Sequence, residues 1–322
     1  MRVKSLLVML LGMLFMLAAT TGCAQDGKEN GQENSPAKLK IGSLTTEENL
    51  PVLVAQENGY FDAEDVQVEF VPLLSPVELQ NTFQSGALDG MITDMMIALM
   101  LKSSGEELRI TSIALGSAPQ EGRFAIVAAP KSDIKSVQDL KGKSIGISNN
   151  SIIEYVTDGI LEQAGMSPSD VNKTTVAKIP VRIEMLLNNQ IDAIVVPDPH
   201  ISYAVANGAR VVADDTSGEN LSQSVIIMTQ TALNSKNDAI SRFYNAYARA
   251  VEEINNNPEQ YKELLVTSIN VPKQIADSYK VQHYPLPQLP VEEDVNNVIT
   301  WLKNKGLLKA DINYQDVIWG QT

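Results

Sequence analysis

The stretch Ser75–Asp94, SPVELQNTFQSGALDGMITD, predicts a helix, a tight turn and a short buried strand, in that order. The chain repeats this pattern at Ile179–Asp198, IPVRIEMLLNNQIDAIVVPD. Each copy opens with Pro-Val, continues with apolar residues at helical spacing, and closes with an aspartate, Asp89 or Asp192, that enters a hydrophobic strand. Two copies of one helix–strand unit predict two similar α/β lobes whose polar strand ends face each other.

Composition and charge narrow the classes of function. The chain has 322 residues, 44% of them hydrophobic and 20% charged, which is ordinary for a soluble globular protein. Its net charge of -14 argues against a nucleic-acid partner, because phosphate binding needs basic patches. With one cysteine and two histidines, little material exists for a metal cage, a disulfide or a histidine-based catalytic relay. We therefore expect neither cofactor nor metal. We also expect a monomer.

The N-terminus has the pattern of an exported protein. Residues 1–22 carry two early positive charges and an uninterrupted apolar run, as in a signal peptide. Small residues precede Cys23 and resemble a bacterial lipobox, in which the cysteine is lipidated after cleavage. Residues 23–37 are polar and predict a flexible tether. We expect a palmitate-bearing lipoprotein on the extracytoplasmic face of the cell membrane; an ordinary secretory leader with an incidental Cys23 is the alternative.

Strand and helix signals alternate along the body of the chain, which favours largely parallel sheets covered by helices. Two apolar strands, near 124–130 and 224–229, are interpreted as crossings between lobes. The expected organisation is lobe one at 38–123 and 230–322, and lobe two at 124–229. The C-terminal part is predicted to be mostly helical and to pack on lobe one. The predicted fold is thus α/β, with two Rossmann-like lobes joined by a two-strand hinge.

In such sheets, ligands bind beyond the carboxyl ends of the strands. The loops expected there predict a set of ligand-binding residues: Ser43, Thr45, Glu47, Thr93, Asp94, Asn149, Asn150, Ser151, Asp198 and His200. The amides that open the helix at Ser151 could bind an anion or could simply be capped. The carboxylates of this set, together with Glu48 and Glu154, would instead favour a positive or hydrogen-bond-donating ligand if they line the cleft, and otherwise lie in solvent.

Further candidates carry two interpretations each. Arg182 could clamp an anion with its planar donor fork or lie at the surface. Tyr155 and Tyr203 could stack on a planar ligand or pack in the core. The methionines Met91, Met95, Met96 and Met100 are interpreted as core residues.

The order of these elements resembles a known family. The residues that carry the resemblance are Ala55–Phe61 (AQENGYF), Gln84–Gly90 (QSGALDG), Asp139–Gly146 (DLKGKSIG) and Asp192-Ala193 leading to Asp198-Pro199. They are similar to the solute-binding lipoproteins of ABC importers, in the branch that includes nitrate, sulfonate, taurine and thiamine-precursor binders.

This resemblance implies a type 2 periplasmic-binding fold that closes on a small organic or oxyanion nutrient and delivers it to ABC permease and ATPase subunits. It implies a binder and not an enzyme. Two alternatives stay open: an enzyme of the same fold, of the pyrimidine-synthase or menaquinone-pathway kind, and a ligand-sensing lipoprotein that feeds a membrane kinase.

Overall fold

The computed structural model describes residues 37–218 and 221–320. The predicted leader, Cys23 and nearly all of the predicted tether lie outside these residues. Within the described ranges, no helix is long and apolar enough to cross a membrane.

Two five-stranded sheets form the framework of the fold. In chain order the strands are β1 (Ala37–Leu44), β2 (Val66–Leu73), β3 (Gly90–Asp94), β4 (Leu108–Leu115), β5 (Phe124–Ala128), β6 (Ser144–Ile147), β7 (Asn172–Thr175), β8 (Ala193–Pro197), β9 (Arg210–Asp214) and β10 (Ser224–Thr229). The first sheet has the order β2-β1-β3-β10-β4 and the second the order β7-β6-β8-β5-β9. The two orders correspond strand for strand, as the internal repeat predicts.

Helices cover both sheets. Those before β10 are α1 (Leu50–Glu57), α2 (Tyr60–Ala63), α3 (Pro76–Gln84), α4 (Met95–Ser103), α5 (Ile152–Gln163), α6 (Ile179–Leu187) and α7 (His200–Ala206). Those of the C-terminal part are α8 (Gln230–Ser235), α9 (Asn237–Asn256), α10 (Lys262–Ser268), α11 (Lys273–Ala276), α12 (Glu292–Asn304) and α13 (Tyr314–Val317).

The repeated unit has the same structure in both sheets. It forms α3 and β3 in the first sheet, and α6 and β8 in the second. The aspartate before each strand accepts a hydrogen bond from a backbone amide of the neighbouring parallel strand. Asp89 accepts a hydrogen bond from the Lys40 amide at 2.8 Å, and Asp192 accepts one from the Ser144 amide at 2.8 Å. Equivalent aspartates therefore set the register of equivalent strand pairs.

Each sheet is mixed, and one antiparallel strand sits inside it. β10 runs antiparallel to both β3 and β4, and β5 runs antiparallel to both β8 and β9. The direction follows from the path of the chain. β4 ends at the same edge as β3, and residues 116–123 cross there to the second sheet, so β5 starts at that edge and runs away from it. Residues 215–218 and 221–223, the described parts of the segment between β9 and β10, lie on the return path to the first sheet.

The pairing thus assigns Ser224–Thr229 to the first sheet and Phe124–Ala128 to the second. The lobe boundaries drawn from the sequence, which count 224–229 with the second lobe, stay a prediction.

The long helix α9 buries an apolar face against the first sheet. Its stripe residues Phe243, Tyr247, Ala250, Val251 and Ile254 are all fully buried, as their helical spacing predicts. Near the C-terminus, α12 packs on α4. It also reaches α5 beside the second sheet, because the Trp301 indole donates to Asp158 at 3.1 Å.

Candidate functional site

A continuous cleft lies between the edges where the parallel strands of the two sheets end. It has two chambers, of about 530 Å³ and about 420 Å³. The chambers share part of their walls and are therefore one space: both are lined by Leu44, Thr46, Glu48, Pro76, Phe124, Ile179, Pro197 and Ser222. We call the larger chamber the apolar chamber and the smaller one the polar chamber.

The first sheet contributes Glu47 to the polar chamber. Glu47 begins a short 3₁₀ turn directly after β1 and is only 7% exposed. Its Oε2 accepts a hydrogen bond from the Gln282 side chain, whereas its Oε1 is buried without a hydrogen-bond partner among the described residues. Burial raises the pKa of Glu47 well above its ordinary value, and the nearby charges of Asp198 and Glu48 raise it further.

Asp94 stands at the end of β3 and lines the apolar chamber with Thr93. It is also the N-cap of α4, where its Oδ1 accepts a hydrogen bond from the Ile97 amide at 2.9 Å. Burial raises the pKa of Asp94 to about 6, because the capping hydrogen bonds only partly offset the loss of solvent. Asp94 therefore has a structural role whether or not it also contacts a ligand.

On the opposite side, Asp198 and His200 follow β8 and line the polar chamber. Asp198 accepts hydrogen bonds from the amide and hydroxyl of Ser202, at 3.0 and 2.7 Å. Its second oxygen lies 3.6 Å from the Arg123 guanidinium. Burial lowers the pKa of His200, and the charge of Arg182 adds to this effect while Asp198 opposes it. This wall therefore presents a carboxylate beside an imidazole that favours the neutral form.

Arg182 does not lie at the surface, so that alternative from the sequence is wrong. The side chain is fully buried beneath the second sheet's edge of the cleft. Its guanidinium donates to the Val176 carbonyl at 2.9 Å, to the Val195 carbonyl, and to the Ser148 hydroxyl at 2.6 Å. Because these acceptors occupy its donors and it lines neither chamber, Arg182 supports the floor of the cleft and does not face the solute space.

The structure brings seven of the ten predicted site residues to the chamber walls. Thr45, Glu47, Asp198 and His200 line the polar chamber, and Thr93, Asp94 and Ser151 line the apolar one. Their binding role stays a prediction, now with a common location.

The other three, Ser43, Asn149 and Asn150, line neither chamber. Ser43 is 1% exposed because its position on β1 points into the packed interior. Asn149 and Asn150 are exposed in the turn before α5, where Asn150 has a φ of 54°. The Asn150 amide donates to Glu154 at 2.8 Å, which ties the turn before α5 to the first turn of the helix.

The remaining candidates from the sequence pack elsewhere. Glu154 is buried and pairs with Lys173 at 3.3 Å and Lys305 at 2.5 Å, so it faces away from the cleft. Tyr155 meets the edge of Trp301 at a centroid distance of 5.6 Å, and Tyr203 packs against the apolar core. Neither tyrosine lines the two chambers.

Sequence reasoning missed several residues of the cleft. Phe124 and Arg123 stand where the chain enters the second sheet, and Ile179 opens the second repeat unit. Met96 and Met100, interpreted as core, also border the apolar chamber. The signal that could have found Arg123 and Phe124 was the crossing itself, because a chain that passes from one sheet to the other must traverse the space between them.

No group of three or more His, Cys, Asp or Glu side chains that could hold a metal occurs in the part of the chain that the structure describes. Residues 47–261, more than half of the chain, match the family model described as NMT1/THI5 like. The chain belongs to this family.

Individual relatives differ in what their names say they do. A putative aliphatic sulfonates-binding protein of Escherichia coli is 22% identical over 265 residues, which cover 82% of this chain and 81% of the relative. The crystal structure of the periplasmic aliphatic sulphonate binding protein SsuA from Escherichia coli superposes with a TM-score of 0.74 at 20% identity, covering 89% of this chain and 94% of that one. A 4-amino-5-hydroxymethyl-2-methylpyrimidine phosphate synthase of Legionella pneumophila is 26% identical over 135 residues, 42% of this chain and 41% of the enzyme.

These findings confirm the predicted family resemblance and the α/β fold of periplasmic binding proteins with two lobes. The relatives include a protein named as a binder and a protein named as an enzyme.

Proposed function

We propose that this chain is the extracytoplasmic solute-binding component of an ABC importer and that it captures a small molecule by hinged closure of two lobes. One observation carries the proposal: a single cleft lies between two sheets at the ends of their parallel strands, and only two chain segments, 116–123 and 215–223, join those sheets in the described residues. Ligand that contacts both walls would stabilise the closed form and shift the equilibrium toward it.

The relatives support binding without catalysis. The relative matched over 82% of this chain is named as a binding protein, whereas the synthase is matched over 42%. We infer that the chain is not an enzyme and that its partners are an ABC permease and ATPase. The names of the relatives suggest sulfonates or a pyrimidine precursor as the class of solute.

Closure can be measured directly with two spin labels. Leu74 is 92% exposed at the mouth of the polar chamber, and Val181 is 44% exposed on α6 beside the chamber residue Ile179. In a Cys23→Ser background, Leu74→Cys and Val181→Cys would place one label beside each wall. We expect a solute that raises the melting temperature to shorten the distance between the labels, as measured by pulsed electron paramagnetic resonance.

The solutes for this test are alkanesulfonates, taurine, nitrate, thiamine precursors and simple amines. At a concentration 100-fold above Kd, a bound solute stabilises the protein by about 2.7 kcal/mol, which is several degrees for a domain of this size. A solute that raises the melting temperature and leaves the distance unchanged would contradict capture by closure. If no solute in the panel raises it, the assignment as a solute binder fails.

We also propose that Cys23 carries the lipid that holds the protein at the membrane. The support is the lipobox-like sequence before the chain's one cysteine. In cells that express the full chain, Cys23→Ser should move the protein from the membrane fraction to the soluble fraction and abolish incorporation of a clickable palmitate analogue. Retention in the membrane fraction without labelling would refute lipidation at this residue.

A further inference from the structure

The walls of the cleft carry more acidic than basic side chains. Four carboxylates line its two chambers: Glu47, Glu48, Asp94 and Asp198. Among the described residues, Arg123 is the one lysine or arginine on these walls. Its guanidinium is already engaged with Asp214, at 2.9 and 3.0 Å, and lies 3.6 Å from Asp198. The cleft therefore keeps a surplus of carboxylate after its internal ion pairs are counted.

Glu47 carries the second observation, independent of the charge count. It is 7% exposed, and its Oε1 has no hydrogen-bond partner within the described ranges. The groups that face this carboxyl are the neighbouring Glu48, Asp198 across the chamber, Gln282, and Tyr284, whose hydroxyl donates to the Glu47 carbonyl at 2.9 Å. None of them supplies a positive charge. A buried carboxylate oxygen without a donor is costly, and a donor from a ligand would remove that cost.

Two features that could attract an anion already have partners in the protein. The buried Arg182 donates to backbone carbonyls and to Ser148, and it faces neither chamber. The Asn150 amide, at the start of α5, donates to Glu154. An anionic ligand would therefore meet carboxylates on both walls, and the two guanidinium groups nearest the cleft already have partners.

The apolar chamber fits the rest of such a ligand. Its walls include Ile92, Met96, Phe124, Ile152 and Ile179. At its inner side, the Ser224 hydroxyl is 4% exposed and has no hydrogen-bond partner within the described residues. A cavity with apolar walls and a few convergent polar groups is the usual form of a small-molecule site.

We propose that the cleft binds an organic cation, with its protonated nitrogen between Glu47, Glu48 and Asp198 and its apolar body in the chamber over Phe124. The inference rests on the proposed function as a solute binder and names the class of solute. It assigns the solute a positive charge, in contrast to the sulfonates named for one of the relatives.

Three probes of nearly the same shape and different charge test it: benzamidinium, benzamide and benzoate. Binding to the full-length chain in mild detergent is measured by isothermal titration calorimetry and thermal shift. We expect benzamidinium to raise the melting temperature and to bind at least about tenfold more tightly than benzamide, because a buried charged hydrogen bond exceeds a neutral one. Benzoate should not bind measurably.

The variant Glu48→Gln tests the position of the cation. It should weaken benzamidinium binding by at least about tenfold and leave benzamide binding within about twofold, because only the charged probe loses an ion pair. Glu57→Gln is the matched control, since Glu57 is an exposed carboxylate on α1, away from both chambers, and the overall change of charge is the same. It should leave all three probes unchanged.

The outcomes separate this inference from the proposed function. Benzoate binding that shortens the distance between the two spin labels would overturn the cationic ligand and leave the solute-binding function standing. Benzamidinium binding without shortening would support the cationic site and contradict capture by closure. Equal losses in Glu48→Gln and Glu57→Gln, or no binding of benzamidinium, would overturn the inference.

Discussion

Replacing Asp94 with asparagine should make the empty protein more stable at neutral pH. Asp94 caps α4 through a hydrogen bond from the Ile97 amide at 2.9 Å, and asparagine is an equally good N-cap residue. Burial raises the pKa of Asp94 to about 6. The wild-type protein therefore carries the cost of an ionised, poorly solvated carboxylate at pH 7.5, whereas Asp94→Asn keeps the cap and avoids that cost.

The size of the effect follows from the difference in pKa between the folded and unfolded states. In the unfolded state the pKa of an aspartate is about 3.9, which is about 2 lower than the pKa of Asp94 in the folded state. At pH 7.5 this difference corresponds to about 3 kcal/mol of stability. Because the folded pKa is the higher one, the folded state binds more protons between pH 4 and 6. The cost therefore falls with pH and is about 1 kcal/mol at pH 4.5. We expect the free energy of unfolding of Asp94→Asn to exceed that of the wild-type protein by up to about 3 kcal/mol at pH 7.5 and up to about 1 kcal/mol at pH 4.5.

Urea unfolding of the empty protein at pH 7.5 and pH 4.5 measures both values. Asp94→Ala is the control for the cap. Its free energy of unfolding should be about 1 kcal/mol lower than that of Asp94→Asn, because the Ile97 amide loses its acceptor. If Asp94→Asn is no more stable than the wild-type protein at pH 7.5, or if its gain does not shrink at pH 4.5, the argument from burial is wrong. If Asp94→Asn is more stable, as expected, the wild-type protein retains a destabilising charge, which fits a role of Asp94 in binding. In that case Asp94→Asn should weaken benzamidinium binding.

Three further predictions address the framework and the partner. Arg182→Met should lower the free energy of unfolding in urea by about 2 to 4 kcal/mol, because its backbone acceptors become unsatisfied in the interior; a change below 1 kcal/mol would contradict a structural role. Asp192→Ala should cost about 1.5 kcal/mol at pH 7, because the Ser144 amide and hydroxyl lose their acceptor. Hydrogen bonding by Ser144 lowers the pKa of Asp192, so this difference should shrink as pH falls below about 4, whereas a constant difference would contradict that origin. Val77 and Val181 are exposed at equivalent positions of the repeat, where we expect them to contact the proposed permease. The double variant Val77→Asp with Val181→Asp should abolish import in cells and leave solute binding unchanged. Normal import would exclude these positions from that contact.

The fold could be predicted because its signals are local. The helix and strand periods of the two repeat units, and the aspartate before each strand, depend on nearby residues and hydrophobic alternation. The direction of β5 and β10 could not be predicted in the same way. Alternation of helices and strands favours parallel pairing, and only the path of the crossings makes these two strands antiparallel.

The location of the site could be predicted better than its chemistry. Strand ends indicated Thr45, Thr93 and Asp198 because side chains there project beyond the sheet. Burial could not be read from the sequence: the same pattern of a polar residue near a strand end gave Glu47, which is 7% exposed, and Asn149, which is exposed in a turn. The partner of a charge depends on distant residues. Glu154, for example, pairs with Lys305, which is 151 positions away.

Glu47 connects the two features on which the proposed function depends. Its carboxylate faces the polar chamber, and it accepts a hydrogen bond from the Gln282 side chain. The carbonyl oxygen of the same Gln282 amide accepts a hydrogen bond from the Gly122 amide at 2.5 Å, in the crossing segment 116–123. A cation bound at Glu47 would fix the charge and position of that carboxylate, and the Gln282 amide would transmit this to the backbone about which the lobes rotate in the proposed closure. Glu47, whose Oε1 has no hydrogen-bond partner among the described residues, is therefore also the residue through which binding would bias the proposed hinge.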